Sequence, residues 1–156
     1  MHTNPFWLIF QNPVLWPALL SWLSAQLIKM FIGLAKRKRL DLRYLFSAGG
    51  MPSSHTAMVS SMATSVGLRY GWDSMIFGIV TTLALIVMYD AAGVRRAAGK
   101  QAATINRLVT HMTNHDPGAM AFETLKELLG HTPFEVLAGA TLGIAIAIIL
   151  GLQGLL

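Results

Sequence analysis

Three apolar runs in this sequence are long enough to cross a lipid bilayer, and this feature constrains the fold more than any other. A spanning helix needs about 20 mainly apolar residues, within a range of about 17 to 25. The runs cover residues 13–35, 74–90 and 134–156. Only 12% of the chain is charged and 54% is hydrophobic, whereas a soluble domain carries roughly 25% charged residues. These properties predict an integral membrane protein built from helices.

A fourth segment, residues 55–70, is too polar to face lipid on all sides but still has helical periodicity. Met58 and Met62 lie on one stripe of this helix, and Ser61 and Ser65 lie on another. Small hydroxyl residues are typical of helices that pack among other membrane helices. We therefore predict an all-α membrane helical bundle with about four transmembrane helices, formed by all 156 residues as one domain.

Four crossings would place the loops at 36–54 and 91–133 on one side of the membrane and both termini on the other. Basic residues in short loops favour the cytoplasmic side, so this face is predicted to be cytoplasmic, although the same charges also suit an anion site. Within the second loop, residues 93–110 predict a basic helix and residues 119–130 predict a short amphipathic helix. The two loops carry five basic residues each, namely Lys36, Arg37, Lys38, Arg39 and Arg43, then Arg95, Arg96, Lys100, Arg107 and Lys126.

The stretch GGMPSSHTA, residues 49–57, places glycine, proline and hydroxyl residues between a basic run and the polar helix. Ser53 or Ser54 can cap a helix that begins near His55, which is a purely structural role. Such a helix N-terminus also favours a bound anion, because its first backbone N–H groups lack helical partners and lie at the positive end of the helix dipole. His55, in the first turn, would be within reach of that anion.

A second candidate is His131, which precedes the last apolar run and lies four residues before Glu135. One helical turn separates the two side chains, so the carboxylate can accept a hydrogen bond from one imidazole nitrogen and fix the tautomer. The other nitrogen is then available as a nucleophile. The structural alternative is a histidine and a glutamate that cap a helix at the membrane interface.

The stretch PSSH, residues 52–55, resembles one element of the type 2 phosphatidic acid phosphatase superfamily, which includes lipid phosphatases and vanadium haloperoxidases. That superfamily has a Lys-x6-Arg-Pro element, a Pro-Ser-Gly-His element and a Ser-Arg-x5-His-x3-Asp element, in this order. Pro52-Ser53-Ser54-His55 is similar to the second element, with Ser54 in place of glycine. The chain looks most like the small divergent branch of bacterial and plastid membrane proteins within this superfamily.

The other two elements are matched less closely. His131-x3-Glu135 is similar to the end of the third element, with glutamate in place of aspartate. Lys29-x6-Lys36 resembles the first element but lacks its arginine and proline. Six residues before the histidine, where the superfamily has arginine, this chain has Leu125.

A substitute for the missing arginine is present in the stretch from residue 90 to residue 101, which contains Arg95, Arg96 and Lys100. Its paired arginines, lysine and glycines would suit a phosphate-binding loop. The alternative is a positively charged membrane anchor at the end of a helix. The sequence does not distinguish Arg95 from Arg96 as the replacement.

The resemblance implies a membrane phosphatase that hydrolyses a lipid phosphate monoester or pyrophosphate without a metal or another cofactor. His131 would attack phosphorus to form a phosphohistidine, Glu135 would orient it, and His55 would protonate the leaving oxygen. The implied phosphate ligands are Lys29, Lys36, Ser53, Ser54, Arg95, Arg96 and Lys100. The expected location is a bacterial inner membrane. Many members of the superfamily work on the outer face, but the basic residues of the two loops predict a site at the cytoplasmic face.

A different function is also compatible with these residues, namely a non-catalytic membrane protein that binds anionic lipid through its basic face and retains a degenerate phosphatase site. Haloperoxidase chemistry is a weaker third option, because in this superfamily it belongs to larger soluble proteins. The expected partners are membrane lipids and a lipid phosphate substrate rather than nucleic acid, and no pattern indicates an oligomeric state. The chain has no cysteine, which excludes disulfides and thiolate metal ligands.

Overall fold

The computed structural model describes residues 11–37, 50–115, 124–127 and 129–156, and this part of the chain contains five α-helices and no strand. A five-residue π-helical segment, Asp90–Val94, joins the third helix to the fourth and is called the π-turn below. The predicted all-α class is confirmed for these residues. The helices are α1 (Leu15–Arg37), α2 (Ser54–Tyr70), α3 (Met75–Tyr89), α4 (Arg95–His115) and α5 (Pro133–Leu152).

Helix α2 lies at the centre of the bundle and packs against α1, α3 and α5. Ten of its 17 residues are buried, and all of these except Val66 are serine, threonine, alanine or glycine. Large apolar side chains on the surrounding helices are exposed instead: Phe31 is 62% exposed, and Ile79 and Leu137 are each 63% exposed. Because lipid solvates apolar side chains, small residues inside and large apolar residues outside are expected of a membrane bundle. The polar composition of α2 follows from its central position.

Two glycines of α5 allow its backbone to touch that of α2. A Cβ atom built on Gly139 would overlap the carbonyl oxygen of Ser53, and one built on Gly143 would overlap the carbonyl oxygen of Ala57. Small residues four apart permit this close approach of membrane helices. At the end of the contact, the Ser53 N–H donates a hydrogen bond to the Glu135 carbonyl oxygen at 3.0 Å. The first turn of α5 is therefore held beside the first turn of α2.

Three helical segments in the described part of the chain are long and apolar enough to cross a membrane: Leu15–Ala35, Met75–Met112 and Pro133–Leu152. The predicted membrane bundle is therefore supported, with three candidate spans, whereas the more polar α2 is not among them. At a rise of 1.5 Å per residue, the 38 residues of Met75–Met112 extend for about 57 Å. This length exceeds a hydrocarbon core of about 30 Å, so part of the segment must project beyond it. The basic helix predicted over 93–110 corresponds to α4.

The amphipathic helix predicted over 119–130 is not present at the residues of this segment that the structure describes. Residues 124–127 and 129–130 are not helical, and the remainder of the prediction lies outside the described residues. The Asn106 side chain of α4 forms hydrogen bonds with backbone groups that a helix would use. Its Nδ2 donates to the Leu125 carbonyl at 2.8 Å, and its Oδ1 accepts from the Leu125 N–H at 2.9 Å. Helical periodicity in the sequence could not predict this tertiary contact, which takes both backbone groups of Leu125.

Candidate functional site

Three segments meet at one end of the bundle: the start of α2, the end of α3 with the π-turn and the first residue of α4, and residues 129–131 just before α5. They surround a cavity of about 280 Å³. Its lining is mainly apolar, and the polar side chains on it are few and convergent, as is common in ligand sites. The polar lining residues are His55, Asp90, Arg95 and His131, and the apolar ones include Ile86, Val87, Ala91 and Leu129.

His131 is held by Glu135 at the start of α5. The imidazole is only 4% exposed, and its Nδ1 lies 3.3 Å from Glu135 Oε2. The same carboxylate oxygen accepts the Thr132 N–H at 2.9 Å, while Thr132 Oγ1 accepts the Glu135 N–H at 3.3 Å. This reciprocal capping box fixes the carboxylate. A carboxylate beside Nδ1 assigns the proton to Nδ1 and leaves a lone pair on Nε2.

The other ring nitrogen of His131 is buried without a partner among the described residues. Buried polar atoms are normally hydrogen-bonded, and an exception in a site needs an explanation such as a ligand or a catalytic role. The arrangement therefore has the parts of an activated histidine: one nitrogen oriented by a carboxylate and the other unpaired at a cavity.

The backbone of His131 is anchored to the π-turn. Its N–H donates to the Ala91 carbonyl oxygen at 2.9 Å. The preceding Gly130 has a φ of +79°, and a Cβ atom at this position would overlap the backbone of Arg96. Glycine is required here both for the left-handed conformation and for the close approach. The backbone before and at His131 is thus in direct contact with the π-turn and the start of α4.

Burial lowers the pKa of His131, and the positive charges of Lys29 and Arg95 lower it further. The hydrogen bond and the charge of Glu135 act in the opposite direction without reversing the shift. A neutral histidine with a lone pair on Nε2 is therefore the dominant species at neutral pH.

The motif PSSH occupies the start of α2, opposite His131. His55 is exposed and lines the cavity. Ser53 is the N-cap: its Oγ accepts the Thr56 N–H at 3.4 Å and the Thr56 hydroxyl at 3.0 Å. Ser53 is completely buried and its own N–H is bonded to α5. In this structure Ser53 thus has the capping role that the sequence left open as an alternative to phosphate binding.

Lys29 approaches the site from α1. It is buried, and its Nζ donates to Ser54 Oγ at 3.1 Å. It also interacts electrostatically with Glu135 and with both histidines. Ser54, which stands where the superfamily has glycine, therefore accepts a hydrogen bond from a cation that acts on both histidines, although neither Lys29 nor Ser54 is part of the cavity lining. Lys36 lies in the last turn of α1, and its side chain is outside the described part.

The three candidate cations between residues 90 and 101 lie in different places relative to the cavity. Arg95 lines the cavity and forms an ion pair with Asp90. Arg96 is not part of the lining, and Lys100 lies on a separate surface groove of α4 with Gln101. Only Arg95 of this set is brought together with the two histidines.

Asp90 was not assigned a role from the sequence, although it lines the cavity. The available signal was a single acidic residue at the end of an apolar run, five residues before an arginine. In a regular α-helix that spacing does not bring two side chains together. The π-turn that does so has no recognisable sequence pattern.

Comparisons with known proteins show the family of this chain. A family model described as "Divergent PAP2 family" matches residues 10–146. The chain is also similar to "Uncharacterized membrane protein YuiD" of Bacillus subtilis (strain 168), with 40% identity over 151 residues, covering 91% of this chain and 96% of that protein. No solved structure matches the chain. The resemblance predicted from the motifs is thereby confirmed, and this membrane protein belongs to the divergent PAP2 family.

Proposed function

We propose that this protein is a membrane phosphatase that hydrolyses a lipid phosphate monoester or pyrophosphate through a phosphohistidine at His131. The observation that carries the proposal is the buried Nε2 of His131, which has no hydrogen-bond partner in the described part of the chain and lies at a cavity shared with His55 and Arg95. The family relationship supports a phosphatase of this type.

In the first step, the lone pair of His131 Nε2 attacks phosphorus and the bond from phosphorus to the leaving oxygen breaks. His55, which begins this step protonated, donates a proton to that oxygen and becomes neutral. The leaving group is the lipid alcohol of a monoester or the lipid monophosphate of a pyrophosphate. Glu135 keeps the Nδ1 proton of His131 hydrogen-bonded and stabilises the positive charge that the ring acquires. In the second step, water gives a proton to His55 and attacks phosphorus. The N–P bond then breaks, inorganic phosphate is released and neutral His131 is restored.

Cations around the cavity would bind the non-bridging oxygens. Arg95 lines the cavity, and Lys29 interacts electrostatically with both histidines. Donors and charges fixed before the reaction stabilise the transition state of phosphoryl transfer without a reorganisation cost. Lys36 and Ser54 are further candidates, whereas Ser53 contributes by capping α2. Arg96 and Lys100 are not proposed as ligands, because neither lines the cavity and, unlike Lys29, neither is among the charges that act on the two histidines.

The apolar part of the cavity would take the first carbons of the lipid chain. Ile86 and Val87 lie on α3, one turn before the π-turn and inside a candidate span. A phosphate between the histidines would leave its attached chain beside these side chains, at the depth where the hydrocarbon region begins. This placement favours a lipid phosphate over a water-soluble phosphate ester.

The proposed site faces the cytoplasm, with α2 as a fourth crossing, because both loops at this end carry five basic residues each. Single cysteines can test this in a chain that has none of its own. Gln101→Cys on exposed α4 should react with an impermeant thiol reagent only after cells are permeabilised. Asp73→Cys, in the turn between α2 and α3, should react in intact cells. The reverse pattern would place the site on the outer side.

The acid limb of the pH profile of kcat/KM should reflect the ionisation of His131, because this histidine must be neutral to attack phosphorus. Since burial lowers its pKa, kcat/KM should fall only below the ordinary histidine value of about 6.5. Glu135 raises the pKa of His131, so Glu135→Gln should slow turnover and move this limb to still lower pH. The ionisation of the substrate is the same for both proteins. If the acid limb does not move in Glu135→Gln, it therefore reflects ionisation of the substrate and not of His131.

The direct test of the function is phosphate release by the purified full-length protein in detergent micelles. We expect release from at least one lipid phosphate monoester or pyrophosphate in the presence of EDTA. The panel should include a water-soluble alkyl phosphate, which we expect to react poorly. No release from any member, combined with binding to anionic vesicles, would favour the non-catalytic lipid-binding function.

A further inference from the structure

Asp90 lies at the cavity but takes no part in the proposed chemistry. Its Oδ2 accepts a hydrogen bond from Nε of Arg95, and both side chains line the cavity beside His131. The two side chains are 35% and 58% exposed, respectively. An ion pair with this exposure contributes little to the free energy of unfolding. A purely stabilising role is therefore a poor explanation for an acidic residue placed beside a phosphate site.

The π-turn is what brings the two residues together. In an α-helix with 3.6 residues per turn, side chains five positions apart point about 140° away from each other. Here the Arg95 N–H bonds to the Asp90 carbonyl oxygen, five residues back, so the turn is wider by one residue. Asp90 and Arg95 consequently lie on the same side. The same π-turn binds His131 through the Ala91 carbonyl oxygen.

We propose that Asp90 is a positioning residue, which holds the Arg95 guanidinium by its Nε and directs the terminal NH₂ groups to the substrate phosphate. This proposal rests on the proposed function and deepens it. A guanidinium has five N–H donors in a rigid plane, so it can bind a carboxylate at Nε and a phosphate at its far end. Lysine cannot do both. Orienting the group in advance reduces the conformational entropy that is lost when phosphate binds.

The opposing physical effect is charge repulsion. The Asp90 carboxylate could compete with phosphate for Arg95, and its removal would then strengthen phosphate binding. Removal of the Asp90 carboxylate would raise the Kd for phosphate if orientation dominates, and would lower it if repulsion dominates. Because Arg95 is more than half exposed, water screens the repulsion, whereas an unrestrained arginine side chain would sample many rotamers. We therefore expect orientation to dominate and Asp90→Asn to weaken binding.

The test measures binding of inorganic phosphate to the full-length protein in micelles by calorimetry, independently of turnover. Asp90→Asn should raise the Kd by about two- to fivefold, because an exposed ion pair can orient Arg95 in advance by no more than its own small contribution. The matched control Asp73→Asn, at the opposite end of α2 and α3, should leave the Kd unchanged. Arg96→Gln should also have little effect, whereas Arg95→Gln and Arg95→Lys should both weaken binding.

A double substitution separates positioning from a general structural effect. Asp90→Asn should add nothing in the Arg95→Gln background, because the residue it orients is already absent. If Asp90→Asn does not fold, Asp90→Glu serves in its place, since it keeps the charge but displaces Arg95. An unchanged or lower Kd, additive effects, or no phosphate binding by the unmodified protein would overturn the proposal. If phosphate binds as predicted but no lipid is hydrolysed, the proposed function fails and the role of Asp90 stands.

Discussion

Replacement of His131 by alanine is expected to abolish phosphate release, with a loss in kcat of at least about 10³-fold, as for other catalytic nucleophiles. Nε2 of this residue is the only buried ring nitrogen without a partner among the histidines that the structure describes. Its removal takes away the atom that would form the N–P bond. Helix α5 should still form, because Glu135 continues to accept the Thr132 N–H and keeps its own bond to Thr132 Oγ1.

Two measurements check this expectation. Rapid acid-free quenching with labelled substrate should trap a phosphoenzyme in the unmodified protein, stable to base and labile to acid, and none in His131→Ala. The matched control is His111→Ala, which removes an exposed histidine on α4 and should retain normal turnover. Unchanged turnover in His131→Ala, with correct membrane insertion, would disprove the nucleophile assignment.

Replacement of His55 by alanine should slow hydrolysis of lipid phosphates by about 10²- to 10⁴-fold, the usual contribution of a general acid. The effect should depend on the leaving group. An aryl phosphate with an acidic phenol needs little protonation, so the first step should be much less affected and the phosphoenzyme should accumulate. The cap of α2 is supplied by Ser53 rather than by His55, so the helix itself should be preserved.

The informative measurement is the ratio of the two rates in His55→Ala and in the unmodified protein. A much larger loss for the lipid substrate supports leaving-group protonation by His55. An equal loss for both substrates would show that His55 acts elsewhere, for example in orienting the phosphate. Phosphoenzyme levels distinguish these results from a failure of the second step alone.

The helical architecture could be predicted because it depends on local properties of the chain. Apolar runs of bilayer length specify spanning helices, and the serine-rich pattern of residues 55–70 identified a helix surrounded by other helices. The positions of His55 in the first turn of one helix and of His131 just before another could also be predicted, because motif spacing and helix polarity place both at one end of the bundle. The same reasoning was wrong for residues 124–127 and 129–130, where the Asn106 side chain takes the backbone hydrogen bonds of Leu125.

Which charged side chains share the cavity with the two histidines was decided by the tertiary structure alone. The rotation of one helix against another depends on contacts between distant residues, here the approach of Gly139 and Gly143 to the backbone of α2. The choice between Arg95 and Arg96 depends on one extra residue in the π-turn, which shifts every later side chain around the helix axis by about 100°. Asp90 joins the site for the same reason. The sequence by itself determined the helices and the two histidines, because periodicity and length are local properties. Only the tertiary structure decided which cation and which carboxylate accompany them.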